Sequence, residues 1–469
     1  MKTNLNIVVV VLLTVFLLSS CASYYQKSYK FNEQFTVGNL EEAQKFLISQ
    51  KKAAEKKDRL LYFLDRGVIE QMLGNYEVSN EYFEKAYIYT QDYRLNISYD
   101  ILSSIANPML KPYKAEDFEV VLIHFYKAIN YLQLNQLDEA LVEVKRVNIS
   151  LNELNDRYED KKNRYKEDAF AHSLMGIIYE AQKDYNNAFI AYRNALTIYD
   201  SNYQENFQTI APQQLQIDLL RMAKYNGFRK ELDRYEKEFG FTYRAEEKGN
   251  GDLVFFWLNG LGPVKGEFSI NFARDESGGG FVFANENAGY SFPIPVNTSN
   301  DKLGESDLNQ VRFVRMAIPK YRMRSPLVSE AYIEVGNQKL NLEKAEDIGE
   351  IAISTLEDRM LREMGKSIAR LVLKQASELA ISSKNEDLGF LVSALNAVTE
   401  KADTRNWQSL PNSIYYQRRS LKEGAHDVKL VTKGNNISTD TLNFNVKIVE
   451  GKTTFRTYHS LESTVPYEQ

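Results

Sequence analysis

Cysteine and histidine are scarce in this sequence, with one cysteine, Cys21, and four histidines among 469 residues. A single cysteine excludes an internal disulfide and a metal site built from several thiolates. None of the histidines belongs to the H-E-x-x-H pattern of zinc metalloproteases. The sequence therefore predicts no bound metal and no cofactor.

Recognisable catalytic motifs are also missing. The G-x-S-x-G sequence of the serine-hydrolase elbow does not occur. Gly365-Lys366-Ser367 resembles the end of a phosphate-binding loop, but Met360 stands where that loop needs glycine. The 63 acidic residues are too many to single out one carboxylate pair, so a glycosidase that uses two carboxylates stays open. We predict that the protein is not an enzyme.

A large excess of one charge is absent as well. The formal net charge is −5, with 43% hydrophobic and 26% charged residues. This balance is typical of a globular chain. It does not favour nucleic acid as a partner, because nucleic-acid binding needs a basic surface.

The one long apolar run, from Ile7 to Leu18, is shorter than the roughly 20 residues that a membrane-spanning helix needs. Lys2 precedes it, and small residues and Cys21 follow, which is the layout of a secretory signal. The letters LSSC that end at Cys21 resemble the bacterial lipobox. The resemblance implies that residues 1–20 are removed and that acyl chains on Cys21 anchor the protein to a membrane. Because no acidic residue follows directly, we expect the periplasmic side of the outer membrane rather than the cell surface.

The first half repeats a helical pattern. Gly176 and Tyr192 have the spacing of the small and aromatic positions of a tetratricopeptide repeat, and Gly67 and Phe83 have the same spacing earlier. In that repeat, small residues let two antiparallel helices approach closely. We therefore predict an all-α tetratricopeptide-like solenoid over residues 21–245.

Arrays of this kind usually present a concave groove lined by their first helices. Most of the predicted groove positions are apolar, and the Lys/Asn clamp for a carboxyl-terminal peptide is absent. Such a groove holds a partner protein or is filled by the protein's own chain, and we expect the own chain to cover about half of these positions. The predicted groove residues are Leu64, Val68, Phe125, Ile129, Leu132, Ile177 and Glu180.

The second half, residues 246–469, changes to strand-like patterns. We predict an α+β domain with a mostly antiparallel sheet and a helical pair inserted near residues 346–401, where apolar residues recur every three or four positions. Residues 275–309 read as a long functional loop. The predicted strands are 253–258, 267–272, 311–318, 331–342, 428–431, 442–449 and 453–458.

Two motifs stand out in this half: NGLGPVK, which begins at Asn259, and DTRNWQSLP, which begins at Asp403. The Asn-Gly pair suits a turn with positive φ. We expect Asp403 and Arg405 to form a buried ion pair beside Trp407. Both motifs fit structural corners, and a ligand or partner site stays open as the alternative. The motif residues that we single out are Asn259, Gly260, Pro263, Lys265, Asp403, Arg405 and Trp407.

With these motifs and the repeat sequences DEALVEVKR and RNALTIY, the chain resembles a family of bacterial tetratricopeptide lipoproteins of unassigned function. The resemblance covers nearly the whole mature chain, although Gly262 stands where family members tend to have alanine. It implies an envelope location. It also implies envelope protein partners, with a lipoprotein that activates a peptidoglycan synthase as one candidate.

The sequence thus favours a membrane-anchored scaffold that binds other proteins during cell-wall or outer-membrane assembly. One alternative is a lipoprotein that binds glycan or peptidoglycan through residues 246–469. A third hypothesis is an envelope hydrolase.

Overall fold

The computed structural model describes residues 24–52, 56–95, 109, 111–156, 163–244, 250–274, 281–285, 290–294, 313–360, 402–434 and 437–465. The predicted signal, Cys21 and the second predicted helix of the 346–401 segment lie outside these residues. Among the described residues, no helix combines the length and the apolar composition needed to cross a membrane.

Antiparallel helix pairs occupy the first half of the chain. Two pairs correspond to the clearest repeat units of the sequence, and the pairs before, between and after them extend the array. The helices are Tyr24–Thr36 (α1), Leu40–Ser49 (α2), Arg59–Met72 (α3), Tyr76–Leu95 (α4), Asp117–Gln133 (α5), Leu137–Asn155 (α6), Ala169–Ala181 (α7), Tyr185–Ile198 (α8), Gln204–Phe207 (α9), Gln213–Tyr225 (α10) and Arg229–Phe239 (α11).

Glycine and an aromatic ring fix the close approach of the helices within a pair. A Cβ on Gly67 of α3 would lie 2.6 Å from the ring of Phe83 on α4, and Gly176 of α7 faces Tyr192 of α8 in the same way. A larger residue at either glycine would push the ring out, which would separate the two helices. The predicted repeat spacing therefore has a direct structural cause.

The described residues of the second half form three four-stranded sheets, in the orders β12-β1-β9-β8, β11-β10-β6-β7 and β4-β3-β2-β5. Of the described strand pairs, β1 and β12 run parallel and the others antiparallel. The strands are Gly251–Asn259 (β1), Val264–Arg274 (β2), Phe281–Asn285 (β3), Tyr290–Ile294 (β4), Phe313–Arg322 (β5), Val328–Val335 (β6), Gln338–Asn341 (β7), Glu343–Asp347 (β8), Ser413–Leu421 (β9), Gly424–Gly434 (β10), Ile437–Ile448 (β11) and Thr453–Ser460 (β12).

Strand β1 lies in the middle of a three-layer arrangement. Its letters LVFFWL form an apolar run without alternation, which is typical of a strand buried on both faces. Phe256 belongs to the core shared with the helices, whereas Phe255 and Trp257 belong to a second core against the β6–β10 sheet. The helical array, the sheet that contains β1 and the sheet that contains β6 and β10 therefore pack as consecutive layers.

Several sequence predictions for the second half need correction. The stretch predicted as the loop 275–309 contains strands β3 and β4. Strands β8 and β9 were not predicted, because they mix charged and apolar residues. The helix predicted from residue 346 begins at 348 and is described to 360, since β8 extends to Asp347.

Candidate functional site

The predicted groove residues all lie inside the molecule. Their exposed fractions range from 0% to 6%, whereas we expected the chain to cover about half of them. We therefore correct their assignment from a partner-binding groove to the core between the two halves. The buried groove residues are Leu64, Val68, Phe125, Ile129, Leu132, Ile177 and Glu180.

The first sheet fills the concave face of the helical array. Phe170 on α7 packs against Phe256 of β1 and Tyr416 of β9, with ring centroids 6.3 and 6.1 Å apart. Apolar groove positions and an apolar strand face cover each other, which removes both surfaces from water.

Arg405 of the second motif holds the two halves together. Its Nε and Nη2 donate to the two carboxylate oxygens of Asp403 at 2.9 and 2.7 Å, and its Nη1 donates to Asp58, just before α3, at 3.0 Å. The arginine side chain is 1% exposed. The predicted Asp403–Arg405 ion pair forms, with the arginine buried and the Asp403 side chain 28% exposed. Asp58 is a further partner that the sequence did not reveal.

Trp407 lies two residues further and packs into the helices. Its ring contacts Phe83 and Tyr126 at centroid distances of 5.9 and 5.4 Å. Its backbone N–H donates to Glu119 Oε1 at 2.8 Å, and its indole N–H donates to Ser409 Oγ at 2.9 Å. The tryptophan thus anchors the second half to α4 and α5.

Two buried carboxyl groups of the helices face this motif. Ser409 donates to Asp65 Oδ1 at 2.8 Å. Burial raises the pKa of Asp65 to about 7, and the nearby Glu119 adds to the shift. Burial also raises the pKa of Glu119. These carboxyl groups therefore hold their protons at higher pH than ordinary ones.

The first motif joins the same region. Lys265 Nζ forms an ion pair with Glu116 at 2.6 Å, and Arg359 forms a second at 3.0 Å. Burial opposes ionisation of Glu116, but Arg359 and Lys265 outweigh it, so its pKa is lowered. We call Asp58, Asp65, Glu116, Glu119, Lys265, Arg405 and Trp407 the seam cluster.

The two motifs also bind each other. Asn406 Nδ2 donates to the carbonyl oxygen of Pro263 at 2.9 Å, and the backbone N–H of Lys265 donates to Asn406 Oδ1 at 3.1 Å. Asn259 Nδ2 donates to the carbonyl oxygen of Val328 at 3.0 Å, and Gly260 has φ +66°, as a turn with positive φ requires. These contacts support the structural-corner hypothesis for both motifs.

A second buried charge cluster was missed by the sequence analysis. Glu180, predicted for the groove, accepts from Arg221 Nε at 2.7 Å and pairs with Arg418 of β9. Arg221 also pairs with Asp218. Burial opposes ionisation of Glu180, but Arg221 and Arg418 lower its pKa. A glutamate among apolar groove positions was the signal that an internal cation would reach it.

Asp168 and Glu346 line a small cavity between the halves. Burial raises the pKa of both groups, as in catalytic acids. The cavity has a volume of about 20 Å³, which suffices for about one water molecule. A sugar ring does not fit between these carboxyl groups.

An open cleft lies where β12 passes the ends of the first helix pairs. Its volume is about 390 Å³, within the range of about 300–1,000 Å³ typical of ligand pockets. Of the predicted groove residues, Ile129 borders it. We call it the edge cleft, and its defining residues are Val37, Met72, Ile129, Thr457, His459 and Leu461.

In the described part of the chain, no group of three or more His, Cys, Asp or Glu residues is placed to hold a metal ion.

The comparisons with known proteins give no family. No family model and no curated protein matches the chain.

Solved structures of low similarity match part of the chain. The MamA protein is 14% identical over 45% of this chain and 87% of its own, with a TM-score of 0.29. The apo form of RapI is 16% identical over 46% and 68%, with a TM-score of 0.34. A Rap protein complexed with competence and sporulation factor is 15% identical over 46% and 52%, with a TM-score of 0.29. At these TM-scores the likeness adds nothing to what the helix pairs themselves show.

Proposed function

We propose that this protein is a lipid-anchored envelope scaffold that binds partner proteins through the outer face of its helical repeats. The lipid on Cys21 would hold it at the periplasmic side of the outer membrane. The resemblance to tetratricopeptide lipoproteins supports this location, and an activator of peptidoglycan synthesis is a candidate partner. A role in cell-wall or outer-membrane assembly follows from that location.

The observation that carries the proposal is a set of exposed aliphatic residues on the second helices of neighbouring pairs. Ser79 and Ala140 occupy the same position of their repeats, and Ile88 and Ile149 lie equally far after them. The two isoleucines are 49% and 54% exposed. Val142 and Ile190 (49% and 37% exposed) also share one repeat position. We call Ile88, Val142, Ile149 and Ile190 the outer stripe.

Repetition distinguishes the outer stripe from scattered surface residues. Single exposed aliphatic residues are normal on soluble proteins, but equivalent positions of stacked repeats lie side by side on one face. Since the sheet fills the concave face, the outer face is the repeat surface that a partner can reach. Aliphatic residues exposed on one face are typical of a protein-binding surface.

The hydrolase alternative has less support. Asp65, Glu119, Asp168 and Glu346, whose pKa values burial raises, are at most 7% exposed. The cavity between Asp168 and Glu346 is too small for a sugar ring. The scaffold hypothesis needs no such access.

The test is cross-linking in intact cells followed by affinity capture of the full-length protein and mass spectrometry. The variant Ile88→Asp with Ile149→Asp alters the outer stripe without touching the core. The matched control is Ile210→Asp with Val465→Asp, at residues that are 69% and 79% exposed elsewhere on the chain. We expect one envelope protein to be lost with the stripe variant and retained with the control. An unchanged capture profile in the stripe variant would contradict the proposal.

A further inference from the structure

Strand β12 has one unpaired edge among the described residues. It lies at the end of its sheet and pairs with β1. The backbone N–H of Asp252 donates to Lys452 O, and that of Gly260 donates to Ser460 O. In a parallel strand, every second residue bonds the same neighbouring strand. Lys452 and Ser460 bond β1, so the backbone groups of the residues in between, such as Thr457 and His459, point away from β1.

This free edge borders the edge cleft. Thr457 and His459 line the cleft together with the turn between α1 and α2 and the ends of α3 and α5. Gln133 of α5 donates to Thr457 Oγ1 at 3.1 Å, which fixes the helix beside the strand. The cleft therefore lies next to unpaired strand backbone, and its opposite wall is helical.

A buried acceptor on His459 has no partner in the described structure. His459 is 7% exposed, and its Nε2 lies 2.9 Å from the carbonyl oxygen of Gly260. A carbonyl only accepts, so Nε2 carries the hydrogen. Burial lowers the pKa of His459 to about 4, so Nδ1 is an unprotonated acceptor at neutral pH. Among the described residues, Nδ1 has no hydrogen-bond partner, and the atom itself is shielded from the surface.

The remaining lining limits the chemistry of the ligand. Leu40, Met72, Ile129, Leu258 and Leu461 give an apolar wall, and Glu462 is the ionisable carboxylate at the rim. Among the described residues, the lining contains no lysine or arginine. The cleft is thus suited to a neutral or basic ligand with apolar side chains, and not to an anion such as a peptide carboxylate terminus.

We infer that the edge cleft binds an extended internal segment of a partner protein, which adds as a strand to the free edge of β12. The backbone of the segment pairs with Thr457 and His459, and alternate apolar side chains contact the helical wall. The site is separate from the outer stripe, so either proposal can fail without the other.

The probe is a display library of short peptides in which apolar and polar positions alternate, selected against the full chain purified in mild detergent. The affinity of a selected peptide is then measured by fluorescence anisotropy. Two isomers of that peptide report the binding mode. One is N-methylated at its odd-numbered positions and the other at its even-numbered positions. We expect one isomer to lose affinity at least about tenfold, since two or more backbone hydrogen bonds are lost, and the other to retain it within about twofold.

A protein variant locates the site. Val37 is 68% exposed on the rim of the cleft, and Ile210 is 69% exposed between α9 and α10. Both tolerate a charge without a cost to the core. We expect Val37→Asp to weaken the peptide at least about tenfold and Ile210→Asp to leave it unchanged.

Three outcomes would overturn the inference. The first is that selection yields no peptide that binds the full chain. The second is that both N-methylated isomers bind alike. The third is that the Val37→Asp protein binds the peptide as tightly as the wild type does. A dimer of the full chain that Val37→Asp dissociates would assign the cleft to a second copy instead of a partner segment. Light scattering of both proteins distinguishes that case.

Discussion

Asparagine in place of Asp65 tests the charge state of the seam cluster. The folded-state pKa of about 7 lies above the ordinary value of 3.8, so between these values the folded chain keeps a proton that the unfolded chain has released. Raising the pH therefore favours unfolding across this window. The difference of about three pH units corresponds to a loss of roughly 3 kcal/mol in the free energy of unfolding between pH 4 and pH 7. Above pH 7 both states are ionised and this loss ends.

The variant Asp65→Asn removes the titrating group but keeps an acceptor for Ser409 and a donor in place of the acid proton. Buried carboxyl groups elsewhere, such as Asp168, titrate in both proteins, so their contributions largely cancel in the difference. Urea unfolding of the full chain is followed at pH 4, 5.5 and 7 by tryptophan fluorescence. The chain has two tryptophans, and both are at most 1% exposed when folded.

The expected result is a stability difference that changes with pH. Relative to the wild type, Asp65→Asn should gain roughly 3 kcal/mol between pH 4 and pH 7. Parallel pH profiles of the two proteins would refute the reasoning, because they would mean that Asp65 ionises at its ordinary pKa inside the seam cluster. A gain that keeps growing well above pH 7 would place the folded-state pKa higher than the structure indicates.

Three further predictions concern single residues. Trp407→Ala should cost about 3–5 kcal/mol in urea unfolding, because it leaves a cavity against Phe83 and Tyr126, and a cost below about 1 kcal/mol would contradict its anchoring role. Gly260→Ala should destabilise more than Gly336→Ala in thermal unfolding. Both glycines have positive φ, but a Cβ on Gly260 meets Pro326 at 2.7 Å, whereas one on Gly336 meets no atom of the described residues within 4 Å. Cys21→Ala should leave an unprocessed or soluble protein, and normal membrane fractionation of this variant would contradict the lipid anchor.

The helical half could be predicted from sequence because its determinants are local. Gly67 and Phe83, like Gly176 and Tyr192, meet within one helix pair, so their spacing carries the fold. The apolar run in β1 likewise indicated a buried strand. Strand β9 could not be predicted, because Arg418 lies in a buried environment and its charge is compensated by Glu180 from α7.

The role of the two motifs could not be derived from sequence for a similar reason. The partners of Arg405 and Ser409, Asp58 and Asp65, are more than 340 residues away along the chain. A sequence pattern shows that a buried arginine needs a carboxylate, but it does not show which of the 63 acidic residues approaches it. The apolar groove positions likewise indicated that they are buried, but not by what. Coverage by the protein's own chain and coverage by a partner select the same apolar residues.

Because these partners lie in different halves, the halves should depend on each other to fold. Residues 250–469 alone would expose the face of β1 that bears Phe256, and residues 22–244 alone would expose the apolar groove positions that this face covers. Large exposed apolar faces favour aggregation. We expect each half to be insoluble when expressed alone and soluble as a complex when the two are expressed together, with Trp407→Ala weakening the complex in size-exclusion chromatography. Two separately soluble halves with cooperative thermal unfolding would show that the interface is an ordinary domain contact, and glycan binding by the second half could then be measured on that fragment.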